Sequence, residues 1–189
     1  MFDGTSVVRT SDNNLIFVVG NYRLGAFGWL AGSTMEADGL PNAGLHDQRA
    51  MFEWVQSYIS LLGGDPTDVT AWGLSAGAGS IFHHLVARGG TEDPLFRRAI
   101  LQSPAFATRW DRTGTLESVF RRFAAFANCA GGGLECLREA SSQSLDRANQ
   151  LLQLSAPRGA YAVGPAADGT YIRQLAALEY ISGKTCYTC

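Results

Sequence analysis

The sequence lacks several features that would each assign it to a specific class of protein. Its net charge is only −2 at pH 7, so nothing electrostatic predicts nucleic acid or an anionic membrane as a partner. No apolar run reaches the roughly 20 residues of a membrane-spanning helix, so no transmembrane segment is expected. The first residues have neither a basic start nor an apolar stretch, so no secretory signal is visible there.

Cysteine and histidine are also scarce, with four and three residues respectively. The C-terminal Cys186 and Cys189 form a single Cys-x-x-C pair, whereas zinc sites usually use two pairs and redox motifs lie at a helix N-terminus. We therefore expect no metal site and no cofactor. What is present, 46% hydrophobic and 17% charged residues in a chain of 189, is typical of one globular domain with a hydrophobic core.

The most informative segment is a Gly-x-Ser-x-Gly motif centred on Ser75. Residues 69–72 before it predict a short buried strand, and residues 78–88 after it have the spacing of a helix. A strand, a sharp turn and a helix in this order place the serine at the crest of the bend, where its hydroxyl can act as a nucleophile. The motif therefore predicts nucleophilic catalysis by Ser75.

The residues around Ser75 are expected to support that role. Gly73 and Gly77 should leave room at the bend, because a Cβ at either position would crowd it. The N–H of Ala76, at the start of the helix, is the candidate donor to a developing oxyanion. The alternative is a tight glycine turn in which Ser75 only caps the helix.

The order of apolar segments predicts an α/β fold, with a mostly parallel sheet flanked by helices. Strands are expected at residues 15–19, 69–72 and 99–101, and helices at residues 45–62 and 78–88. Residues 39–44 are expected to form a loop. Two further amphipathic helices, at residues 116–126 and 145–154, are interpreted as an insertion on the rim of the sheet.

Several motifs together resemble the type-B carboxylesterase (cholinesterase-like) family of α/β-hydrolases. They are Asn21-Tyr22-Arg23-Leu24-Gly25-Ala26-Phe27-Gly28, Asn42-Ala43-Gly44-Leu45-His46-Asp47-Gln48-Arg49, Gly63-Gly64-Asp65-Pro66, the serine turn, Ala99-Ile100-Leu101-Gln102-Ser103 and Gly164-Pro165-Ala166-Ala167-Asp168-Gly169. The resemblance implies a partial α/β-hydrolase fold in which residues 1–189 are the central part of a single domain, truncated at both ends. It also implies a small-molecule carboxylic ester as substrate, hydrolysed through an acyl-Ser75 intermediate without a cofactor.

In this family the triad acid and histidine lie in the C-terminal half of the protein, and neither is expected in this chain. His46 precedes the nucleophile, and His83 and His84 lie two turns along its own helix, too far from Ser75 for the role of base. His83 and His84 are interpreted as packing or surface residues. Because Ser75 has no base, we expect the chain alone to have negligible esterase activity.

The resemblance also implies roles for residues outside the turn. Arg23 and Asp47 match a buried salt bridge of the family, the alternative being two separately solvated charges. Trp110 matches an acyl-pocket tryptophan, the alternative being core packing. Leu74 stands where many relatives carry glutamate, which favours a lipase-like or general esterase over cation binding; with Trp110 it is assigned to the substrate pocket.

Cys129 and Cys136 match a short disulfide loop of the family, the alternative being free thiols, and a disulfide would suit a secreted or secretory-pathway protein. Two further functions stay open at this point. One is a cholinesterase-like recognition module without chemistry, and the other is an inactive truncated product.

Overall fold

The computed structural model describes residues 3–105 and 107–186. The first helices are short: α1 (Thr5–Thr10), α2 (Gly25–Trp29) and α3 (Ser33–Asp38). They are followed by α4 (Ala43–Tyr58), which continues as a 3₁₀ turn (Ile59–Leu62), then strand β1 (Thr70–Leu74), α5 (Ala76–Leu85), a 3₁₀ turn (Ala87–Gly89) and strand β2 (Arg98–Gln102). Four more helices follow in the described residues: α6 (Thr115–Phe126), α7 (Gly133–Glu139), α8 (Ser142–Leu154) and α9 (Ala176–Ile181).

Strands β1 and β2 pair in parallel, with Thr70 opposite Arg98 and Leu74 opposite Gln102. Helix α5 connects them, so the expected α/β arrangement of a parallel sheet with helices is confirmed. Ala71 on β1 is buried with Ile81 of α5 and Phe96, which fixes the helix against one face of the sheet. This packing positions the turn between β1 and α5.

The strand expected at residues 15–19 does not form. Within the described ranges these residues have no ladder partner, and Ile16, Val18 and Val19 remain exposed. An extended apolar segment counts as a strand only when a neighbour satisfies its backbone N–H and C=O groups. The composition of this segment was typical of a buried strand, but pairing depends on a partner that the composition does not reveal.

Two helical expectations also need correction. Helix α4 begins at Ala43, inside the expected loop at residues 39–44, after Asn42 adopts a left-handed conformation with φ 60°. Its apolar stripe is only partly buried: Val55 and Ile59 are buried, whereas Trp54 and Tyr58 are about half exposed. Helix α7 (Gly133–Glu139) lies between the two amphipathic helices expected at residues 116–126 and 145–154, where no helix was predicted.

The largest buried cluster joins the C-terminal helices to the N-terminal ones. Phe120 and Phe123 of α6 and Leu152 of α8 pack with Trp29 of α2 and Leu45 of α4. The helices on the rim therefore share one core with the segment that precedes the sheet. None of the helices in the described part of the chain is both long and apolar enough to cross a bilayer.

Candidate active site

Ser75 lies at the crest of the turn between the last residue of β1 and the first residue of α5. Its backbone has φ 55° and ψ −117°, a conformation that a residue with a Cβ rarely adopts. Such strain persists only where the surrounding structure enforces it, and it clusters at functional sites. The side chain is exposed, as a nucleophile that must reach a substrate requires.

Three backbone hydrogen bonds hold this conformation. The Ser75 N–H donates to the carbonyl of Gln102 at the end of β2, at 2.9 Å. The Ser75 carbonyl accepts from the N–H groups of Gly79 and Ala105, both at 3.0 Å. The crest is therefore tied to the sheet, to its own helix and to the loop after β2, which together enforce the strained φ.

The alternative in which Ser75 caps helix α5 is wrong. Ser75 occupies the N-cap position, yet in the described structure its hydroxyl accepts no hydrogen bond from the first turn of the helix. A capping serine has an extended backbone and points its oxygen at the N–H groups of that turn. Ser75 does neither: its φ is positive, and its hydroxyl has no bond to the N–H groups of that turn.

The two motif glycines differ in how much space surrounds them. A Cβ at Gly73 would lie 2.5 Å from the carbonyl carbon of Gly77 and 2.6 Å from the nitrogen of Ala78, so glycine is required there. A Cβ at Gly77 would meet no described atom within 4 Å. The expectation that both glycines relieve crowding is therefore correct for Gly73 and wrong for Gly77, whose outer side faces open space.

Ala76 is the first residue of α5, a helix of 10 residues. The N–H groups of the first turn of a helix have no acceptor within the helix and carry the positive end of its dipole. Since the Ala76 N–H belongs to the same peptide unit as the doubly hydrogen-bonded Ser75 carbonyl, its direction is fixed by those two bonds. The geometry is compatible with the oxyanion-donor role, which remains a prediction.

His83 is buried, and both of its ring nitrogens are engaged. Nδ1 lies 2.7 Å from the Gly79 carbonyl, which can only accept, so Nδ1 carries the proton and Nε2 accepts from the Thr108 hydroxyl at 2.9 Å. Burial lowers the pKa of His83 to about 4. A neutral, fully bonded imidazole of this kind cannot take the proton of Ser75.

His84 is equally buried, and desolvation lowers its pKa to about 3. Its nitrogens lie 2.9 Å from the Tyr171 hydroxyl and 3.0 Å from Gln48 Oε1. His46, in the first turn of α4, packs against Tyr171 with ring centroids 4.6 Å apart, and burial lowers its pKa. The packing role expected for His83 and His84 agrees with these contacts.

The two predicted pocket residues both present apolar surface to solvent. Trp110 is 69% exposed, so the alternative that it packs in the core is wrong. Leu74 directly precedes Ser75 and is 45% exposed. Their assignment to the wall of an acyl pocket stays a prediction.

Arg23 and Asp47 form a two-pronged ion pair. Arg23 Nε and Nη2 donate to the carboxylate at 2.8 and 2.7 Å, and the Arg23 backbone N–H adds a third bond at 2.9 Å. These bonds lower the pKa of the Asp47 carboxyl. The pair was expected to be buried; this is wrong, because the Arg23 side chain is 54% exposed. A pair held by such geometry does not need exclusion of water to form.

Cys129 and Cys136 form a disulfide, with their Cα atoms 5.6 Å apart. A Cβ at Gly132 would lie 2.6 Å from the Cβ of Cys136, so glycine lets the short loop close. Of the C-terminal Cys-x-x-C pair, Cys189 and the residues before it from 187 onward lie outside the described residues. The described ranges contain no group of three or more His, Cys, Asp or Glu side chains placed to bind a metal ion.

Sequence reasoning missed the residues that support the start of α5. Ser80 Oγ donates to the Ala76 carbonyl at 2.9 Å, a bond that the four-residue spacing could have predicted. Gln48, on α4, donates to Ser80 Oγ at 3.2 Å. No local pattern predicts that contact, because it joins two helices that only the tertiary packing brings together.

Comparisons with known proteins agree with the family that the sequence resembles, since the similar proteins are esterases and lipases. The profile of the Carboxylesterase family matches residues 1–185. The chain is 48% identical to a "Secreted lipase" of Arthroderma benhamiae over 97% of this chain and 35% of that protein. It is 43% identical to "Carboxylesterase patB" of Penicillium expansum over 84% of this chain and 28% of that protein.

Among solved structures, EstA of Aspergillus niger superposes with a TM-score of 0.88 at 35% identity, covering 98% of this chain and 37% of that one. The chain therefore spans about a third of the length of the relatives it matches. A strained, exposed serine on a strand–turn–helix and a family profile that matches nearly every residue lead to one conclusion: the chain belongs to the carboxylesterase family.

Proposed function

We propose that this chain supplies the nucleophile of a serine hydrolase that cleaves carboxylic esters. The observation that carries the proposal is the backbone of Ser75, held at φ 55° on an exposed crest by bonds from three elements. A serine that served only the fold would not need this conformation.

In the proposed reaction, Ser75 Oγ attacks the ester carbonyl carbon and loses its proton to a base. The carbonyl oxygen becomes negative and accepts from the Ala76 N–H, then the bond to the alkoxy oxygen breaks and the alcohol leaves with a proton. Water cleaves the acyl-Ser75 ester and releases the acid. Both half-reactions are acyl transfers and balance without metal or cofactor.

The base is proposed to come from outside this chain. His46, His83 and His84 are the only histidines, and their rings are engaged in packing or hydrogen bonds within the fold. Residues 1–189 are accordingly proposed to be the central part of a single carboxylesterase domain. The isolated chain is expected to hydrolyse esters negligibly.

Further parts of the proposal concern the substrate and the location of the protein. Leu74 and Trp110 are proposed to line an acyl pocket, with a small-molecule ester as the substrate. The Cys129–Cys136 disulfide and the similarity to a "Secreted lipase" support a secreted protein. Nucleic acid is not expected as a partner, given the net charge of −2.

The test is a hybrid enzyme in which residues 1–185 replace the matching segment of Aspergillus niger EstA. We expect the hybrid to hydrolyse p-nitrophenyl butyrate and to lose activity about 10⁴-fold or more on Ser75→Ala, as removal of a catalytic nucleophile does. Ser60→Ala, at an exposed serine in the 3₁₀ turn after α4, is the matched control and should leave activity unchanged.

Two outcomes would contradict the proposal. A folded hybrid without activity, which also resists labelling by a fluorophosphonate, would favour a recognition module without chemistry. If the isolated chain hydrolyses the ester and Ser75→Ala abolishes this, the proposed external base is wrong. Where the fluorophosphonate does label the protein, mass spectrometry of the labelled peptide identifies the reactive serine.

A further inference from the structure

A chain of buried hydrogen bonds ends on the carbonyl of Ala76. Ser80 Oγ lies 2.9 Å from that carbonyl and 3.2 Å from Gln48 Nε2. Gln48 Oε1 in turn lies 3.0 Å from His84 Nε2. Gln48, Ser80 and His84 are 6%, 1% and 1% exposed, so these bonds form away from water, where a polar group without a partner is costly.

The direction of each bond follows from the chemistry of its end. A carbonyl can only accept, so the single hydroxyl proton of Ser80 points to Ala76, and Ser80 must accept from Gln48. The Gln48 amide therefore presents its oxygen to His84, which makes Nε2 the protonated nitrogen of that ring.

The chain of hydrogen bonds continues from His84 to Tyr171. Nδ1 of His84, now without a proton, accepts from the Tyr171 hydroxyl at 2.9 Å. All donors thus point the same way, from the Tyr171 hydroxyl to the start of the nucleophile helix, and aligned bonds strengthen one another.

We propose that Gln48 is a positioning residue for the candidate oxyanion donor, Ala76, acting through the Ser80 hydroxyl; the inference rests on the function proposed above. The Ala76 carbonyl accepts from Ser80, and the Ser75 carbonyl accepts from Gly79 and Ala105. The two peptide planes that meet at the Ala76 Cα are therefore both fixed by side-chain or loop donors.

This double restraint matters because an oxyanion donor acts by being in place before charge develops. Rotation of the Ser75–Ala76 plane would move the Ala76 N–H away from the direction set by the Ser75 crest, and the bond to the Ala76 carbonyl restrains the Ala76 Cα on which that plane ends. Gln48 lies on α4, so its amide couples the first turn of α5 to a helix outside the motif. Loss of the amide leaves Ser80 with one partner and the peptide plane with less restraint.

The chain offers a matched control for a merely structural effect. Gln56 lies on the same helix and donates from Nε2 to the carbonyls of Pro66 and Leu95, at 2.9 and 3.0 Å. Gln56→Leu therefore removes a tertiary amide contact of the same kind without touching α5. Gln48→Leu removes one that ends on the nucleophile helix.

The experiment measures amide hydrogen exchange by NMR in the full 189-residue chain. The amides of Gly79 and Ser80 report on the carbonyls of Ser75 and Ala76. We expect Gln48→Leu to speed their exchange about tenfold relative to amides of α8, and Gln56→Leu to leave that ratio unchanged. Ser80→Ala should give the same local effect, and the double variant Gln48→Leu/Ser80→Ala no more than either single change.

The same variants in the hybrid enzyme test the link to catalysis. Gln48→Leu is expected to lower kcat about tenfold with little change in KM, because a donor used in the transition state is displaced. Gln56→Leu should leave kcat unchanged.

Unchanged exchange at Gly79 and Ser80, or additive effects of the two substitutions, would overturn the positioning role. So would faster exchange with an unaltered kcat, since Gln48 would then support the helix only. A parent hybrid without activity counts against the proposed function instead, and exchange in the isolated chain still decides whether Gln48 restrains Ala76.

Discussion

The helical part of the molecule and the sheet differ in how completely they bury their apolar side chains. Leu152 of α8 and Phe120 of α6 are 0% and 3% exposed in the largest cluster. On the sheet, Trp72, Leu74 and Ile100 are each between 44% and 49% exposed. They lie on the face of β1 and β2 opposite α5, since side chains alternate along a strand.

This difference shows that the serine turn does not depend on a fully covered sheet. Parallel sheets are normally covered on both faces, whereas this one is covered on one. The crest at Ser75 is nevertheless fixed, because its backbone bonds come from β2, α5 and the loop after β2. The conformation of the Ser75 turn therefore depends on local backbone bonds, although the β1–β2 sheet below it is packed on one face only.

The largest expected effect comes from comparing the same substitution, leucine to alanine, in the helical core and on the exposed face of the sheet. Leu152→Ala removes a fully buried side chain and is expected to cost about 2–5 kcal/mol of unfolding free energy. Leu74→Ala, on the open face, should cost less than about 1 kcal/mol. Urea unfolding followed by circular dichroism measures both; equal losses would mean that the sheet face is as well covered as the helical core.

The next effect compares the two glycines that flank the turn. Gly73→Ala brings a Cβ to 2.5 Å from the backbone of Gly77 and should cost about 1–3 kcal/mol, as overpacking does. Gly77→Ala meets open space inside a helix, where alanine is favoured over glycine by about 1 kcal/mol, so it should be neutral or stabilising. Thermal unfolding of both variants tests this, and a destabilised Gly77→Ala would show that this side of α5 is covered.

A smaller effect is the pH dependence of the unfolding free energy. It concerns the sheet region, because His83 and His84 lie on α5, the helix that packs against the sheet. Their folded pKa values, about 4 and 3, lie below the ordinary 6.5, so the unfolded chain binds protons first as the pH falls. Stability is then full above about pH 6.5 and declines towards pH 4, by about 1 kcal/mol per histidine between pH 7 and 5.5. Urea unfolding at a series of pH values measures the slope.

The control for this prediction is the variant His83→Gln/His84→Gln, which has no imidazole to protonate on α5. Its stability should vary less between pH 7 and 5.5 than that of the parent. An identical slope in both proteins would assign the acid sensitivity to other groups.

Sequence reasoning succeeded where the cause was local and failed where it was tertiary. The spacing around Ser75 predicted the strand, the turn and the helix, since each follows from neighbouring residues. Residues 15–19 failed as a strand because pairing needs a partner elsewhere. The contact of Gln48 with Ser80 spans 32 positions in sequence, and no periodicity signals it.

The smallest expected effect is that of the pair Arg23–Asp47. Its three bonds are well formed, but with Arg23 54% exposed, solvent and salt screen the attraction. A double-mutant cycle with Arg23→Met and Asp47→Asn should give a coupling of about 0.2–1 kcal/mol, falling further in 1 M NaCl. Asp47→Asn also weakens the acceptor for the Arg23 N–H, so the cycle and not the single change isolates the ion pair. A salt-independent coupling well above 1 kcal/mol would mean that the pair is shielded from water in solution, as the family resemblance first implied, and that the loop before α2 is covered by further structure.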